Sequence, residues 1–236
     1  MSPPPLGAPR LHLRVTDSTN ERARALATAG APHGTLVTAA EQSAGRGRQG
    51  RTWSAPPGRA LLMSLVLREH PPLLALAAAA AVAEVAGPDA TIKWPNDVLL
   101  GGRKLAGILA EARPQEGWAV LGIGVNVAVR EDDLPPELRE RAATLGADPG
   151  AVEPTLTALL AALQRRLGDD GATILAAYRA RDALRGHEIS WQRDRGVAAG
   201  IDDRGRLLVD CDDGTHAALD AGEVHLALGS EADDRA

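Results

Sequence analysis

The apolar and polar positions divide the chain into two textures, with the change near Arg185. Before it, strand-length apolar runs over 35–41 and 61–67 alternate with helical stretches over 19–29 and 73–86. The first helix opens on Ser18-Thr19-Asn20-Glu21, the serine-then-glutamate spacing of a capping box. The second stops at Gly87-Pro88. A short β-prone stretch over 91–93 leads into Trp94-Pro95-Asn96-Asp97, which its proline and turn formers make irregular. Runs over 98–100 and 104–111 flank Gly101-Gly102 and predict a hairpin. A long strand over 118–129 is interrupted by Gly122 and Gly124, where a missing Cβ permits close approach of backbone or ligand.

Residues 130–150 are charged, contain Pro135-Pro136, and predict a loop with a short helix. Helical spacing returns over 155–167 and 172–184. After Gly186 come short alternating runs over 188–191, 196–201, 206–209 and 223–228. Asp-Asp-Arg-Gly and Asp-Asp-Gly turns separate them, the texture of a small β-barrel. The expected organisation is an α/β domain over 11–184, a barrel over 185–228, and tails over 1–10 and 229–236.

At 236 residues the chain is long enough for one domain with a real core and a smaller appendage. Its formal net charge is -5, so any basic cluster is local, which suits a small anionic ligand better than nucleic acid. The single cysteine, Cys211, excludes an internal disulfide framework and suits a reducing compartment. The start of the chain does not read as a signal peptide, and the most apolar stretch is too short to span a bilayer. A cytoplasmic protein with no membrane partner is expected. The six histidines are scattered and form no cluster of metal-ligand spacing.

One stretch concentrates the candidate chemistry. Over 45–53 the sequence runs Gly-Arg-Gly-Arg-Gln-Gly-Arg-Thr-Trp. Glycine lets backbone approach a ligand, and guanidinium forks match carboxylate and phosphate oxygens. The letters also satisfy G-x-G-x-x-G, but Pro56-Pro57 follow where a dinucleotide-binding turn requires a helix. Taken alone, the run fits an anion-binding loop and a solvated basic loop equally.

Four further stretches stand with it in order: Ser18-Thr19-Asn20; Lys93-Trp94-Pro95-Asn96-Asp97; Lys104-Leu105-Ala106-Gly107-Ile108-Leu109 with Glu111; and Gly122-Ile123-Gly124-Val125-Asn126. Together they resemble the biotin protein ligases over about 16–127, with Gly200-Ile201-Asp202, Gly205 and Gly222-Glu223-Val224 matching in the barrel. The resemblance implies a class II synthetase-like biotin/lipoate ligase fold on a mixed sheet, followed by an SH3-like barrel. It also implies that biotin and ATP, with Mg2+, give biotinyl-5'-AMP, and that biotin then passes to a lysine of a biotin carboxyl carrier protein.

On the same resemblance, Lys104 and Arg48 are the catalytic residues, placed between the biotin carboxylate and the α-phosphate. Ser18, Thr19 and Gln42, with the backbone near Gly107, are implied at the ureido ring, and Asn20 is implied among the substrate-binding residues. Gly45, Arg46, Gly47 and Arg48 are implied in the adenylate-holding loop, and Trp53 against the apolar part of the ligand. Arg51 and Lys93 are implied at the β- and γ-phosphates and Asn126 at the purine edge. Asn96 and Asp97 either position Mg2+ or only make the turn; no metal ligand is assigned. Nothing before Thr16 is long enough for a helix-turn-helix, so no DNA binding is expected. Residues 130–150 hold no aromatic residue to cover the adenine, as some relatives do. Nothing in the pattern selects between a monomer and a homodimer.

Overall fold

The computed structural model describes residues 5–220, 222 and 224–226. Seven strands make the larger sheet: β1 (Arg10–Thr16), β2 (Leu36–Gln42), β3 (Ala60–Leu67), β4 (Ala90–Lys93), β5 (Asp97–Leu100), β6 (Arg103–Arg113) and β7 (Trp118–Asn126). Their order is β1-β2-β3-β7-β6-β5-β4. β1 and β2 run parallel and every other neighbouring pair is antiparallel, so the sheet is mixed, as expected. β1 is an addition to the expected elements. Its period-two signal, Leu11, Leu13 and Val15 between Arg10, His12 and Arg14, marks a strand paired on one side only. Ahead of it the chain is held too, since Leu6 N–H donates to Gln164 Oε1 at 2.8 Å and Gly7 N–H to Gly34 O at 2.8 Å.

Helices cover both faces. On one lies α1 (Thr19–Thr28), whose Ala23 and Ala27 pack on Val37, Val66, Trp118 and Val120. On the other lie α2 (Leu74–Ala86) and α4 (Val152–Arg166), with α5 (Gly171–Arg179) behind α2. α3 (Pro136–Arg139) is one turn inside the loop over 130–150. Ala77, Ala78, Ala79, Ala80, Ala81 and Ala83 of α2 are almost fully buried, and their small side chains let the helix lie close between the sheet and its helical neighbours. β3, apolar but for Ser64, is buried along its whole length, as a strand covered on both faces must be.

α5 stops short of the helix expected over 172–184. The last residues pair instead with the edge of β4: Ile92 N–H donates to Arg181 O at 2.7 Å and Ala183 N–H to Ile92 O at 2.9 Å. The capping box expected at α1 does not form. Ser18 makes no side-chain cap bond, and Glu21 turns to Arg24 and Arg46 instead.

The C-terminal strands are β8 (Glu188–Trp191), β9 (Asp194–Ile201), β10 (Leu207–Cys211), β11 (His216–Leu219) and β12 (His225–Leu226). They form one antiparallel sheet in the order β11-β10-β9-β8-β12, a small β-domain. β11 is a further addition. Of the strand expected over 223–228, residues 223, 227 and 228 lie outside the described residues, as does the tail from 229. The two sheets are tied where Trp94, between β4 and β5, donates its indole N–H to Gly205 O at 3.0 Å in the β9–β10 turn.

Candidate active site

A cavity opens on the α1 face, at the N-terminus of that helix. Its floor holds three glycines on two paired strands: Gly107 of β6 pairs with Gly124 of β7, and Gly122, two residues along, pairs with Leu109. Each missing side chain is used. A Cβ on Gly124 would lie 2.5 Å from Trp53 Cε2 and one on Gly107 3.1 Å from Trp53 Cζ3, so the indole rests flat on that pair. A Cβ on Gly122 would lie 2.0 Å from Asn20 Oδ1. The close approach expected at Gly122 and Gly124 is therefore made by the protein's own side chains.

The 45–53 loop forms a tight hairpin that carries Trp53 over the floor. Gly47 N–H donates to Arg51 O at 2.7 Å and Trp53 N–H to Gly45 O at 2.9 Å. Gly45 sits at the hairpin's base, where a Cβ would come within 2.3 Å of Trp53 O. The indole nitrogen of Trp53 is buried without a hydrogen-bond partner, a donor held beside the cavity.

At the α1 end the lining is polar and, apart from Arg46 in its ion pair with Glu21, uncharged. Ser18, Thr19 and Asn20 are buried, and Thr19 N–H donates to Gln42 Oε1 at 2.7 Å. Asn20 Nδ2 donates to Glu111 Oε2 at 2.8 Å, and Ser64 Oγ stands 2.6 Å from Asn20 Oδ1. Ser64 and Glu111 were not among the expected site residues. The signal for Ser64 is a lone hydroxyl inside the apolar run Leu61-Leu62-Met63-Ser64-Leu65-Val66-Leu67, which a doubly covered strand carries only with a partner.

At the opposite end the lining is cationic. Lys104 Nζ lies 2.7 Å from Asp97 Oδ1 and 5.8 Å from the centre of the Trp53 ring. The Asp97 contact is close in distance but lacks hydrogen-bond angles, leaving Oδ1 otherwise shut off. Arg48 Nη1 donates to Asn96 Oδ1 at 3.3 Å. Lys93, Arg51 and Arg48 line an adjoining depression with Asn96 and Asp97. Burial lowers the Lys93 ammonium below its ordinary value; Asp97 opposes this, and Lys104, Arg51 and Arg141 add to it. Burial likewise lowers Arg48, again against Asp97. His225 of β12 is lowered by burial and then by Lys93, Arg51 and Arg141, so the positive field reaches the C-terminal sheet. Several cations around one carboxylate make a site for a polyanion.

The remaining expected residues are placed as follows. Arg46 lines the cavity and pairs with Glu21. Asn96 makes the turn: its backbone O accepts from Ile108 N–H at 2.9 Å and its Nδ2 donates to Ile108 O at 2.9 Å. Asn126 is buried at the end of β7 and donates Nδ2 to Ala143 O at 2.9 Å; it does not line the cavity. Among the described residues no three His, Cys, Asp or Glu side chains converge as metal ligands. Among the described residues the one carboxylate lining this depression is Asp97, which fits a Mg2+ held mostly by phosphate oxygens and water, and not a resident ion in a protein cage.

Comparison with known proteins agrees with this geometry. The model of the Biotin/lipoate A/B protein ligase family matches residues 12–127, and that of the Biotin protein ligase C terminal domain matches residues 192–226. The structure of biotin protein ligase from Aquifex aeolicus in complex with biotin and ATP superposes with a TM-score of 0.77 at 25% identity, over 94% of this chain and 100% of that one. Fold and cavity thus define the class, a protein of the biotin/lipoate ligase type. The Biotin--[acetyl-CoA-carboxylase] ligase of Mycobacterium tuberculosis is 36% identical over 239 residues, 89% of this chain and 86% of the relative. The bifunctional ligase/repressor BirA of Bacillus spizizenii is 42% identical over 152 residues, but the match spans only 47% of that relative's length. The chain belongs to the biotin protein ligase family.

Proposed function

We propose that the chain joins biotin to ATP as biotinyl-5'-AMP and then passes biotin to a lysine of a biotin carboxyl carrier protein domain. One observation carries this: a single cavity holds an uncharged polar end at Ser18, Thr19 and Gln42 and a cationic end at Lys104 and Arg48. Biotin has a ureido ring with one carbonyl and two N–H groups at one end and a carboxylate at the other. Its apolar body between them matches the Trp53 indole and the glycine floor.

In the first step a carboxylate oxygen of biotin bonds to the α-phosphorus as the bond to pyrophosphate breaks, and the electron pair leaves with pyrophosphate. Two anions must meet, so fixed positive charge has to offset their repulsion and follow the charge that develops. Lys104, steadied by Asp97, and Arg48, steadied by Asn96, take that role. Arg51 and Lys93 meet the β- and γ-phosphates, where Mg2+ supplies further charge neutralisation when bound. Asn126 is assigned to the purine edge by the family resemblance alone; it is buried outside the cavity lining, with one Nδ2 hydrogen on Ala143 O. Arg46, Gly47 and Gly45 shape the loop over the adenylate. In the second step the carrier's neutral amine nitrogen bonds to the acyl carbon, the bond from that carbon to the phosphate oxygen breaks with its electron pair leaving on AMP, and the nitrogen gives up one proton to solvent.

The C-terminal sheet is read as the SH3-like barrel over 185–228 beside a catalytic domain over 11–184. The chain is taken to work in the cytoplasm, as a monomer or homodimer, without DNA or membrane. Pyrophosphate release from ATP with biotin, lipoate or octanoate tests the proposal. Release with biotin alone is expected; release with lipoate alone would assign the site to the other branch of the class.

A further inference from the structure

The polar end of the cavity is the front of a longer chain of hydrogen bonds that runs away from it. Asn20 Nδ2 donates to Glu111 Oε2 at 2.8 Å and to Leu109 O at 3.4 Å. Both are acceptors, so the Asn20 amide cannot be turned round, and its Oδ1 faces Ser64 Oγ at 2.6 Å. Ser64 Oγ also lies 2.8 Å from Thr19 Oγ1, and Thr19 Oγ1 lies 3.0 Å from Gln42 Oε1. Gln42 cannot be turned either, because Oε1 accepts Thr19 N–H at 2.7 Å. Ser64 and Asn20 are 0% and 4% exposed, so the inner end of this path is closed to water, while Thr19 and Gln42 face the cavity.

The protons can then be counted. Three oxygen-to-oxygen gaps, Asn20–Ser64, Ser64–Thr19 and Thr19–Gln42, share two hydroxyl protons, one from Ser64 and one from Thr19. One gap stays without a hydrogen. Two sets of lone pairs repel most at the shortest separation, so the Ser64 proton goes to Asn20 Oδ1 and the Thr19 proton goes to Ser64 Oγ. The gap left over is the widest one, between Thr19 and Gln42, and both of those residues line the cavity.

We infer that Glu111, Asn20 and Ser64 are positioning residues whose hydrogen bonds leave Thr19 Oγ1 and Gln42 Oε1 as adjacent acceptors, one proton short, for a ring N–H of the ligand. The inference rests on the proposed biotin site and adds to it the residues that set its polarity. Glu111 supplies the direction. Its carboxylate takes the Asn20 amide hydrogen, which turns every later bond toward Glu111 and away from the cavity. Gly122 makes room for the arrangement, because any side chain there would displace Asn20 Oδ1. If the chain of bonds is cut at Ser64, the Thr19 proton turns to Gln42, fills the gap, and the site loses its demand for a donor.

The test compares biotin with its two carbamate analogues, in which oxygen replaces one or the other ring N–H, by titration calorimetry on the intact chain. The wild type is expected to prefer biotin over at least one analogue by roughly tenfold or more. That preference should fall toward unity in Ser64→Ala and in Glu111→Leu, with ATP affinity unchanged. Glu111→Gln should keep it, because the glutamine carbonyl still accepts from Asn20. Thermal unfolding of each variant separates lost folding from lost selectivity, and Glu111, partly exposed at the far end of the path, provides a variant that leaves the buried β3 intact. An undiminished preference in folded Ser64→Ala and Glu111→Leu overturns the inference alone. A wild type that binds no biotin overturns the inference and the proposed function together.

Discussion

Lys104 contributes charge to the cavity and little volume to the core, since its side chain is 39% exposed. Lys104→Ala is therefore expected to cut biotin-dependent pyrophosphate release by about a hundredfold or more, the scale seen when a transition-state charge partner is removed. Stability should change by about 1 kcal/mol or less, because Lys93 and Arg48 still flank Asp97. A variant that keeps full release would move the catalytic role to another cation. Gly124→Ala tests the floor. Its Cβ would intrude on the Trp53 indole, so biotin affinity should fall by about tenfold and tryptophan emission should shift; unchanged affinity would show that the indole is no wall of the site. Much of this was legible in the sequence because residues with site chemistry sit in short, ordered motifs. The roles of Ser64 and Glu111 were not legible, although one stands out as a lone hydroxyl in an apolar run and the other sits in a motif, because the apolar pattern of each strand explains the segment without them. Their role depends on Asn20, which the fold brings over from another element.

The two textures of the chain became two sheets, and most boundaries agree with the apolar periodicity within a few residues. The misses have physical causes. β1 and β11 end their sheets, and an edge strand needs only a half-covered apolar pattern, which is easily passed over. The end of α5 was read as helix because residues 180–184 keep helical spacing, yet the edge of β4 offers them backbone partners that a helix does not. The capping box at α1 was outcompeted by Arg46, which draws Glu21 toward the loop. β12 brings a pH-sensitive group into this frame. His225 in the folded chain titrates below its ordinary value, so the unfolded chain takes up the proton first. Its contribution to stability is therefore full above about pH 6.5 and is lost as pH falls through that value toward the folded one. Part of the shift comes from Lys93, Arg51 and Arg141, and bound pyrophosphate would offset those charges. The His225 midpoint followed by NMR should rise when pyrophosphate is added; a midpoint that stays put would show that the polyanion binds elsewhere.

The molecule is acidic overall, with a formal net charge of -5, yet it gathers Arg48, Arg51 and Lys104 at one end of the cavity and Lys93 in the depression adjoining it. That contrast is the central claim: positive charge is concentrated where two anionic reactants have to meet, and the uncharged end fixes which acid is brought there. The most direct test follows one label through both steps. The intact chain is mixed with biotin and ATP labelled at the α-phosphate, the protein is separated from free nucleotide, and a carboxyl-carrier domain is then added. The account predicts label retained as biotinyl-5'-AMP only when biotin is present, then released as AMP as the carrier becomes biotinylated. Label retained or ATP consumed to the same extent without biotin, or AMP released with no biotin on the carrier, would contradict it.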